Sequence, residues 1–320
     1  MQGEYVFPTR RLRPLKDANK TPLVLVACGS FSPVTFLHLR MFEMARDHAR
    51  DNTDFQVVGG YLSLVNDAYK KPGLAPSIHR YNMCRLACDK TSDWLMVDPY
   101  EARQENYVPT APVLDHFDEE INNKRNGVPV LDKDGNEIAR KKVRIILLAG
   151  SDLIQTMSEP GVWAEEDLHH ILGKYGCYII ERAESEIDQS IFSTSSVHSR
   201  SPLALYRDNI YMVPQLVRND VSSTKVRLFV RKGMSIEYLL PRCVSKYIRK
   251  HSLYKDGVVA RPEGLPESFP PLELSEKARP HNHSHNQGET CMTATSSSSS
   301  ESSSSESGSE MAAEDEHRND

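Results

Sequence analysis

A short apolar run followed at once by small and polar residues lies near the start of the chain, at residues 23–38. The run LVLVA has the length and the β-branched content of a strand that is buried on both faces. The residues after it, CGSFSPVTFLH, predict a tight loop and the first turn of a helix. Because unpaired N–H groups and the helix dipole favour anions at a helix N-terminus, this unit predicts a phosphate-binding site.

Further strand-like segments follow, and helical patterns separate them. They are residues 55–61, 94–97, 143–149, 176–180 and 209–213. Strands that alternate with helices predict an α/β fold, with a doubly wound parallel sheet and a C-terminal helical extension. Ligands of such sheets bind beyond the carboxyl ends of the strands, so we expect the loops after these strands to lie on one rim.

Composition divides the chain into three parts. Residues 1–20 are polar, basic and interrupted by Pro, which predicts a flexible extension. Residues 21–256 carry the strand and helix patterns and predict one domain, in which the Gly- and Asn-rich residues 126–140 form an exposed connection. Residues 257–320 are Pro-rich and then Ser- and Glu-rich, which predicts a disordered tail.

Charge and cysteine usage narrow the class of protein. The formal net charge of −5 argues against general binding of nucleic acid. Neither a signal peptide nor an apolar run of about 18 residues is present, so we expect a soluble intracellular protein that does not bind membranes. The six cysteines form no CxxC pair, which favours structural thiols in a reducing compartment over a metal site.

The residues suited to chemistry are directed at phosphate rather than at covalent catalysis. No Ser–His–Asp or Cys–His pattern, no P-loop and no GxGxxG motif is present. Polar and basic residues instead follow the predicted strands; they are Ser30, His38, Lys71, Ser222, Ser223 and Arg227. This set suits nucleotidyl transfer, in which an oxygen of the acceptor attacks phosphorus, pyrophosphate leaves, and the protein aligns the groups and stabilises charge.

Several segments resemble a known family. GSFSPVTFLH at residues 29–38 resembles the (H/T)xGH signature of the nucleotidylyltransferase superfamily, and VSSTKVR at residues 221–227 resembles its ISSTxxR signature. With DAYKK at residues 67–71, LAGSD at 148–152 and PGVW at 160–163, the match narrows to eukaryotic nicotinamide/nicotinic acid mononucleotide adenylyltransferases. The resemblance implies a Rossmann-like fold and the reaction of ATP with a pyridine mononucleotide to give NAD, or its acid analogue, and pyrophosphate. It also implies Mg²⁺, bound mainly through the ATP phosphates.

The resemblance implies a role for each matching residue. The catalytic residues are His38, Lys71 and Arg227. The residues around the phosphates are Gly29, Ser30, Phe31, Ser222 and Ser223. Gly150 and Asp152 match a ribose-binding loop. Trp163 matches an aromatic residue on which the pyridine ring stacks, Thr110 a residue near the pyridine carboxamide, and Asn219 a residue on the adenosine side.

The sequence also departs from the family pattern. Leu37 occupies the position of the signature glycine, which the eukaryotic branch tolerates, and Ser32 stands where Asn is usual. Tyr100 and Tyr107 stand where tryptophans are expected, so the second wall of the pyridine pocket is left open. Tyrosine can still stack on an aromatic ring.

Structural roles compete with functional ones at some positions. Asp152 can cap a helix, Trp163 can pack in a core, and Lys70 competes with Lys71 for the phosphate. Other polar residues are expected on solvated helix faces with no role in the site; they are His79, Arg80, His169 and His170.

Two other functions remain open from the sequence. One is another nucleotidylyltransferase, of the pantetheine-phosphate or cholinephosphate type; the other is a chaperone-like protein that retains a nucleotide site. The expected partners are ATP and a pyridine mononucleotide, without nucleic acid or membrane. Because oligomers are common in the family, a homo-oligomer is possible. Nucleus and cytoplasm both fit, and the choice between amide and acid mononucleotide is not fixed.

Overall fold

A computed structural model describes residues 4–159, 161–181 and 202–255. Its strands are β1 (Thr21–Gly29), β2 (Phe55–Leu64), β3 (Leu95–Asp98), β4 (Val128–Leu131), β5 (Glu137–Lys141), β6 (Arg144–Gly150), β7 (Cys177–Ile180) and β8 (Ile210–Val213). Its helices are α1 (Phe36–Asn52), α2 (Ser77–Thr91), α3 (Thr110–Asp118), α4 (Ser151–Ser158), α5 (Glu165–His170), α6 (Pro202–Leu205), α7 (Ser223–Arg231) and α8 (Arg242–Lys250).

The main sheet has six parallel strands in the order β3-β2-β1-β6-β7-β8. The chain builds outward from β1 to β3, returns to place β6 beside β1, and then builds outward in the other direction. This reversal creates a crevice at the carboxyl ends of β1 and β6, where sheets of this kind bind ligands. The doubly wound parallel sheet predicted from the sequence is therefore confirmed.

Strand β1 is buried on both faces, which explains its continuous apolar run. Leu23 and Leu25 pack into one layer of the core, while Val24 and Val26 pack into the layer on the opposite face of the sheet. All four side chains have no exposed surface. Each such burial contributes about 1.5–3 kcal/mol to folding, so β1 is an anchor from which the loop after it projects.

The N-terminal segment is packed, which corrects the expectation of a flexible extension. Phe7 and Leu15 are buried in the core. The backbone N–H of Arg13 donates to the carbonyl of Val58, and that of Leu15 donates to the carbonyl of Pro129, both at 2.8 Å. Phe7 and Leu15 fix residues 4–20 to the domain because they pack into the same core layer as Val24 and Val26.

The connection at residues 126–140 is only partly exposed, which corrects a second expectation. It contains the antiparallel hairpin β4–β5, which is separate from the main sheet. Val128 and Val130 of β4 lie on the face toward the core and are buried, in alternation with the less buried Pro129 and Leu131. Strand β5 is mostly exposed. The alternation of valines in VPVL was the signal for a half-buried strand.

The predicted tail at residues 257–320 lies outside the described residues, and its disorder and the domain boundary before it stay predictions. Within the ranges given above, no helix combines the length and the apolar character needed to cross a membrane.

Candidate active site

A cavity of about 810 Å³ opens at the carboxyl ends of β1 and β6, as the strand order predicts. We call it the central cavity. Predicted site residues that line it are Gly29, Ser30, Phe31, His38, Lys71, Thr110, Gly150, Asp152, Trp163, Ser222, Ser223 and Arg227. Segments far apart in the chain therefore meet at one place. Asn219 is the predicted residue that lies elsewhere.

The loop after β1 is shaped by a close approach between Gly29 and Phe31. Phe31 has a positive φ of 44° and is buried, and its ring packs edge-on against His38 with ring centroids 5.2 Å apart. A Cβ at Gly29 would lie 3.3 Å from the ring of Phe31. Glycine at position 29 therefore lets the phenyl ring fold back under the loop, which leaves the backbone of the loop along the cavity wall.

His38 is fixed by the first turn of α1. Its Nδ1 accepts a hydrogen bond from the backbone N–H of Thr35 at 3.0 Å, and the Thr35 side chain in turn accepts one from the backbone of His38. The hydroxyl of Thr35 also lies 2.8 Å from Nδ1, and with Nδ1 as the acceptor of the Thr35 N–H the proton of a neutral ring is assigned to Nε2. His38 can therefore offer the cavity a neutral hydrogen-bond donor held in a fixed orientation.

The start of α7 is bonded directly to the loop after β1. The hydroxyl of Ser223 donates to the carbonyl of Pro33 at 2.9 Å, and Nη1 of Arg227 donates to the carbonyl of Ser32 at 2.8 Å. Ser222 is the N-cap of α7, where its hydroxyl accepts from the N–H of Lys225 at 3.2 Å. The two signature segments thus form one unit across the cavity.

Arg227 brings a buried positive charge to this unit. The residue is only 9% exposed, and its Nη2 donates to the hydroxyl of Thr224 at 3.2 Å. Burial lowers the pKa of Arg227. Within the described ranges its hydrogen bonds go to neutral oxygens, and no ion pair to a carboxylate is found for it. A buried cation next to a cavity and without such a partner favours an anionic ligand.

The loop after β2 brings Lys71, and not Lys70, to the central cavity. Lys70 adopts the left-handed conformation with a φ of 49°, and Lys71 is exposed. The loop also passes next to α7, because a Cβ at Gly73 would lie 3.5 Å from Nε of Arg227. Of the two lysines that the sequence left open, the structure therefore favours Lys71. We call Ser30, His38, Lys71, Ser222 and Arg227 the phosphate set.

The expectation of solvated faces is wrong for His79 and Arg80, which are almost completely buried. His79 Nδ1 lies 3.0 Å from the hydroxyl of Tyr247, a residue of α8 that covers α2. Arg80 contacts the loops that line the central cavity and is a residue that sequence reasoning missed. The available signal was the spread of apolar residues around α2, such as Met83, Cys84 and Cys88, which indicates burial on more than one side.

An aromatic set of Tyr69, Tyr107 and Trp163 also lines the central cavity. Nε1 of Trp163 donates to the hydroxyl of Thr156 at 3.1 Å, which fixes the plane of the indole. Tyr107 stacks on Tyr69, with ring centroids 5.6 Å apart and an interplanar angle of 24°. Partial burial raises the pKa of Tyr107, with smaller contributions from Tyr69 and nearby acidic groups.

Tyr100 does not belong to the aromatic set. Its ring stacks on His116 at a centroid distance of 3.7 Å, away from the cavity-lining residues. Of the two tyrosines that stand at expected tryptophan positions, only Tyr107 can form a wall for a bound ring. Tyr107, which lines the central cavity, is therefore the tyrosine we expect at the second wall.

The junction of β6 and α4 presents Gly150 and Asp152 to the central cavity. Gly150 is the N-cap of α4, so Asp152 lies in the first turn and does not occupy the cap position. A Cβ at Gly150 would meet no atom within 4 Å. The glycine therefore leaves open space in the wall next to Asp152, whose carboxylate is of the kind that accepts hydrogen bonds from hydroxyl groups.

Asn219 lines a neighbouring cavity of about 540 Å³ rather than the central one. The two cavities share Leu37 and Gln215 in their walls. The side-chain oxygen of Asn219 accepts a hydrogen bond from the backbone N–H of Val221 at 3.0 Å, and the backbone N–H of Asn219 donates to the side-chain oxygen of Gln215. These two hydrogen bonds fix Asn219 in a local turn beside the neighbouring cavity.

A protein-based metal cage is not found among the described residues, where no group of three or more His, Cys, Asp or Glu side chains is placed to hold a cation. The carboxylates that line the central cavity are Asp152 and Asp167. This donor set does not fit a metal held by protein alone. It fits a cation such as Mg²⁺ that takes most of its ligands from the phosphates of a substrate.

Comparisons with known proteins agree with this geometry. A family model described as "Cytidylyltransferase-like" matches residues 26–229. The chain is 55% identical over 256 residues to the "Nicotinamide/nicotinic acid mononucleotide adenylyltransferase" of Schizosaccharomyces pombe, a match that covers 80% of this chain and 67% of that relative.

Two further relatives are also named as nicotinamide/nicotinic acid mononucleotide adenylyltransferases. The "Nicotinamide/nicotinic acid mononucleotide adenylyltransferase 1" of Saccharomyces cerevisiae is 55% identical over 254 residues, which cover 79% of this chain but only 61% of that protein. The bovine protein of the same name is 36% identical over 274 residues, which cover 78% of this chain and 95% of that protein. The match thus extends over nearly the whole bovine relative, whereas the Saccharomyces cerevisiae relative extends well beyond the matched region.

Proposed function

The chain belongs to the cytidylyltransferase-like family and, within it, to the nicotinamide/nicotinic acid mononucleotide adenylyltransferases, and from this premise we propose its reaction. It transfers the adenylyl group of ATP to nicotinamide mononucleotide, or to nicotinic acid mononucleotide, and so forms NAD or its acid analogue and pyrophosphate. The reaction places the protein in NAD biosynthesis.

The observation that carries this proposal is the direct bonding of the two signature segments beside an aromatic set. Ser223 and Arg227 are tied to the carbonyls of Pro33 and Ser32, so the phosphate-directed residues of both segments share one cavity. Trp163 and Tyr107 line the same cavity. A pyridine mononucleotide has a flat ring and a phosphate, and ATP has a chain of phosphates. The aromatic residues suit the ring, and the phosphate-directed residues suit the phosphates of both substrates.

The reaction needs no nucleophile from the protein. An oxygen of the mononucleotide phosphate attacks the α-phosphorus of ATP and forms a new P–O bond, while the bond from that phosphorus to the bridging oxygen of the β-phosphate breaks. The electron pair of the broken bond leaves with pyrophosphate. The protein must hold the two reactants in line and stabilise the negative charge that grows on the oxygens.

Three side chains of the phosphate set supply this stabilisation. Arg227 and Lys71 provide positive charge next to the loop after β1. His38 acts as a neutral donor through Nε2, because its Nδ1 is engaged by the Thr35 N–H and an imidazolium could not accept that bond. The N-terminus of α7, capped by Ser222, adds backbone N–H groups. Each contact that forms mainly in the transition state is worth about 2–4 kcal/mol.

We further propose Mg²⁺ as the cofactor, held mainly by the ATP phosphates. Bound there, the cation neutralises phosphate charge during transfer. Asp152 and Asp167 are the carboxylates of the central cavity that can approach it directly or through water.

The mononucleotide is proposed to lie with its ring against the aromatic set and its ribose near Gly150 and Asp152. Thr110, at the first turn of α3, offers a hydroxyl to the substituent of the ring. A hydroxyl donates to a carboxylate and exchanges hydrogen bonds with an amide, so this group supports use of both mononucleotides. Asn219 keeps its proposed place on the adenosine side if adenine extends toward the neighbouring cavity that shares Leu37 and Gln215.

The proposed function is tested by a coupled assay of the purified chain with ATP, Mg²⁺ and nicotinamide mononucleotide. Nicotinic acid mononucleotide is tested in parallel, and phosphopantetheine with ATP and phosphocholine with CTP serve as substrates for the other nucleotidylyltransferases. We expect turnover with the pyridine mononucleotides alone. Turnover only with phosphopantetheine or phosphocholine contradicts the proposal, and binding of ATP without turnover of any acceptor favours the chaperone-like alternative.

For the cell, we propose the nucleus, the cytoplasm or both, and self-association into a homo-oligomer without nucleic acid or membrane as a partner. The free thiols of the described cysteines, such as Cys84 and Cys177, support a reducing compartment. Imaging of a fluorescent fusion tests the compartment, and light scattering of the full chain tests the oligomeric state.

A further inference from the structure

Arg80 is a fully buried arginine on α2 that does not line the central cavity but contacts the loops that do. Its Nε donates to the carbonyl of Ala75 at 2.8 Å, and its Nη1 donates to the carbonyl of Ser30 at 3.1 Å. Its Nη2 donates to the carboxylate of Asp67 at 3.0 Å. One guanidinium therefore connects three points of the chain in fixed geometry.

Two of these points enclose Lys71. Asp67 precedes it and Ala75 follows it, so Arg80 holds both ends of the segment of residues 67–75. Asp67 is fastened further, because its carboxylate accepts hydrogen bonds from the N–H and the hydroxyl of Ser77 at the start of α2. Lys71 is exposed between these fixed ends and lines the central cavity.

The segment does not keep this shape by its own preference. Lys70, directly before Lys71, has a φ of 49°, and a left-handed residue other than glycine costs about 1–2 kcal/mol. The turn contacts inside the segment are long, at 3.3 Å from the N–H of Lys70 to Asp67 and 3.4 Å from the N–H of Leu74 to Lys71. Contacts from outside the segment must therefore hold the conformation. Arg80 supplies two of them, beside the bonds from Ser77 to Asp67 and the bond from the N–H of Ala75 to the hydroxyl of Ser32 at 3.0 Å.

The third point fixes the opposite loop. The carbonyl of Ser30 turns toward Arg80, and in a trans peptide the next N–H, that of Phe31, points the opposite way. Ser30 and Phe31 both line the central cavity. The same guanidinium thus sets the orientation of a backbone N–H in the loop after β1 and the distance between that loop and the segment that carries Lys71.

We propose that Arg80 is a positioning residue that fixes the segment of residues 67–75 against the loop after β1 and so places Lys71 against the phosphates of the bound nucleotides. The inference rests on the proposed function, since it assigns the effect of Arg80 to the catalytic contact of Lys71. It adds to the reaction a residue that touches neither substrate.

A double-mutant cycle tests the proposal, with kcat and KM measured for the wild type, Arg80→Lys, Lys71→Ala and the double variant. Lysine keeps the charge but cannot make three directed bonds, so we expect Arg80→Lys to lower kcat about tenfold. In the Lys71→Ala background we expect the same change to lower kcat by no more than about twofold, because Lys71 is absent and only the smaller effect on the loop after β1 remains. Equal factors in both backgrounds overturn the proposal.

Arg85→Lys is the matched control, since Arg85 is a half-exposed arginine of the same helix, paired only loosely with Asp89 at 4.0 Å. It is expected to leave kcat unchanged. If Arg80→Lys does not fold, as judged by thermal unfolding, Asp67→Asn replaces it in the cycle. The side chain of Asp67 is 57% exposed, so this variant weakens the same connection without disturbing the core; additive effects with Lys71→Ala again overturn the proposal.

The two levels of failure are distinguishable. A wild type that forms no dinucleotide from ATP and either mononucleotide contradicts the proposed function itself. An active wild type with additive effects in the cycle leaves the proposed function intact and removes only the positioning role of Arg80.

Discussion

The phosphate set and the aromatic set line the same cavity but are held in different ways. Arg227 is 9% exposed and hydrogen-bonded to the loop after β1. Tyr107, in contrast, is 48% exposed and stacks on another exposed ring, that of Tyr69. Trp163 is steadied by one hydrogen bond to Thr156. Apart from the exposed Lys71, the phosphate set is thus interlocked with the loop after β1 and with α7, whereas the aromatic set is more open.

This difference matches the demands of the two tasks. Charge stabilisation in phosphoryl transfer depends on donors that are placed before the reaction, so it requires fixed geometry. Stacking tolerates small shifts of a ring, so an open aromatic wall suffices for it. We therefore expect changes in the phosphate set to lower kcat, and changes in the aromatic set to act mainly on the KM of the mononucleotide.

The largest effect is expected for His38→Ala, which removes the fixed neutral donor. We expect kcat to fall at least about 10²-fold, as for the loss of a transition-state contact, while both KM values stay within about threefold of the wild type. Loss of the capping contact with Thr35 lowers stability by only about 1 kcal/mol. Steady-state kinetics check this, with His169→Ala, outside the cavity, as the control. Near-normal turnover would remove His38 from the mechanism.

Arg227→Lys is expected to have the next largest effect. Lysine keeps the positive charge but not the bond from Nη1 to the carbonyl of Ser32, so the two signature segments lose one of their connections. We expect kcat to fall about 30-fold, in line with a charge-assisted hydrogen bond. Arg231→Lys, on the same helix, is the matched control. A change confined to the KM of the mononucleotide would contradict the assignment of Arg227 to the phosphate set.

Trp163→Ala tests the aromatic set. We expect the KM of nicotinamide mononucleotide to rise about tenfold, the usual cost of a lost stacking partner, with the KM of ATP changed less than about twofold. Trp163→Phe retains a stacking ring and is expected to recover most of the affinity. Equal increases in the two KM values would indicate a packing role for the indole instead.

The smallest effect is expected for Asp167→Asn. Asp167 lines the central cavity, and its negative charge contributes to the raised pKa of Tyr107, after burial as the main cause. Removal of this charge lowers the repulsion of a ring carboxylate, so the ratio of kcat/KM for the acid mononucleotide to that for the amide should rise about threefold. Glu166→Gln, next in the chain, is the control. A shift toward the amide would place Asp167 away from the ring.

Most residues of the phosphate set could be located from the sequence, because they lie in two local backbone units. Gly29, Ser30 and His38 lie in one strand–loop–helix unit, and Ser222 caps the helix that carries Arg227. In such units residue spacing and helix geometry dictate which groups face the same way. The sequence also led to the correct sheet class, because buried parallel strands have distinctive apolar runs.

The features that sequence reasoning missed depend on contacts between distant parts of the chain. Arg80 reaches Ser30 across 50 residues, and the N-terminal segment pairs with β2 and β4. None of these contacts leaves a periodic pattern in the sequence. The residues that make them can be paired only when the positions of the strands in the sheet are known.

The central claim, that phosphate and ring are bound by separate sets, is tested most directly by tryptophan fluorescence. The chain has two tryptophans, and Trp94 is buried with its Nε1 bonded to Glu43. The signal that disappears in Trp163→Phe therefore reports on the cavity. We expect nicotinamide mononucleotide to quench this signal in both the wild type and Arg227→Lys, and pyrophosphate to leave it unchanged while competing with ATP. Quenching by pyrophosphate, or none by the mononucleotide, would contradict the account.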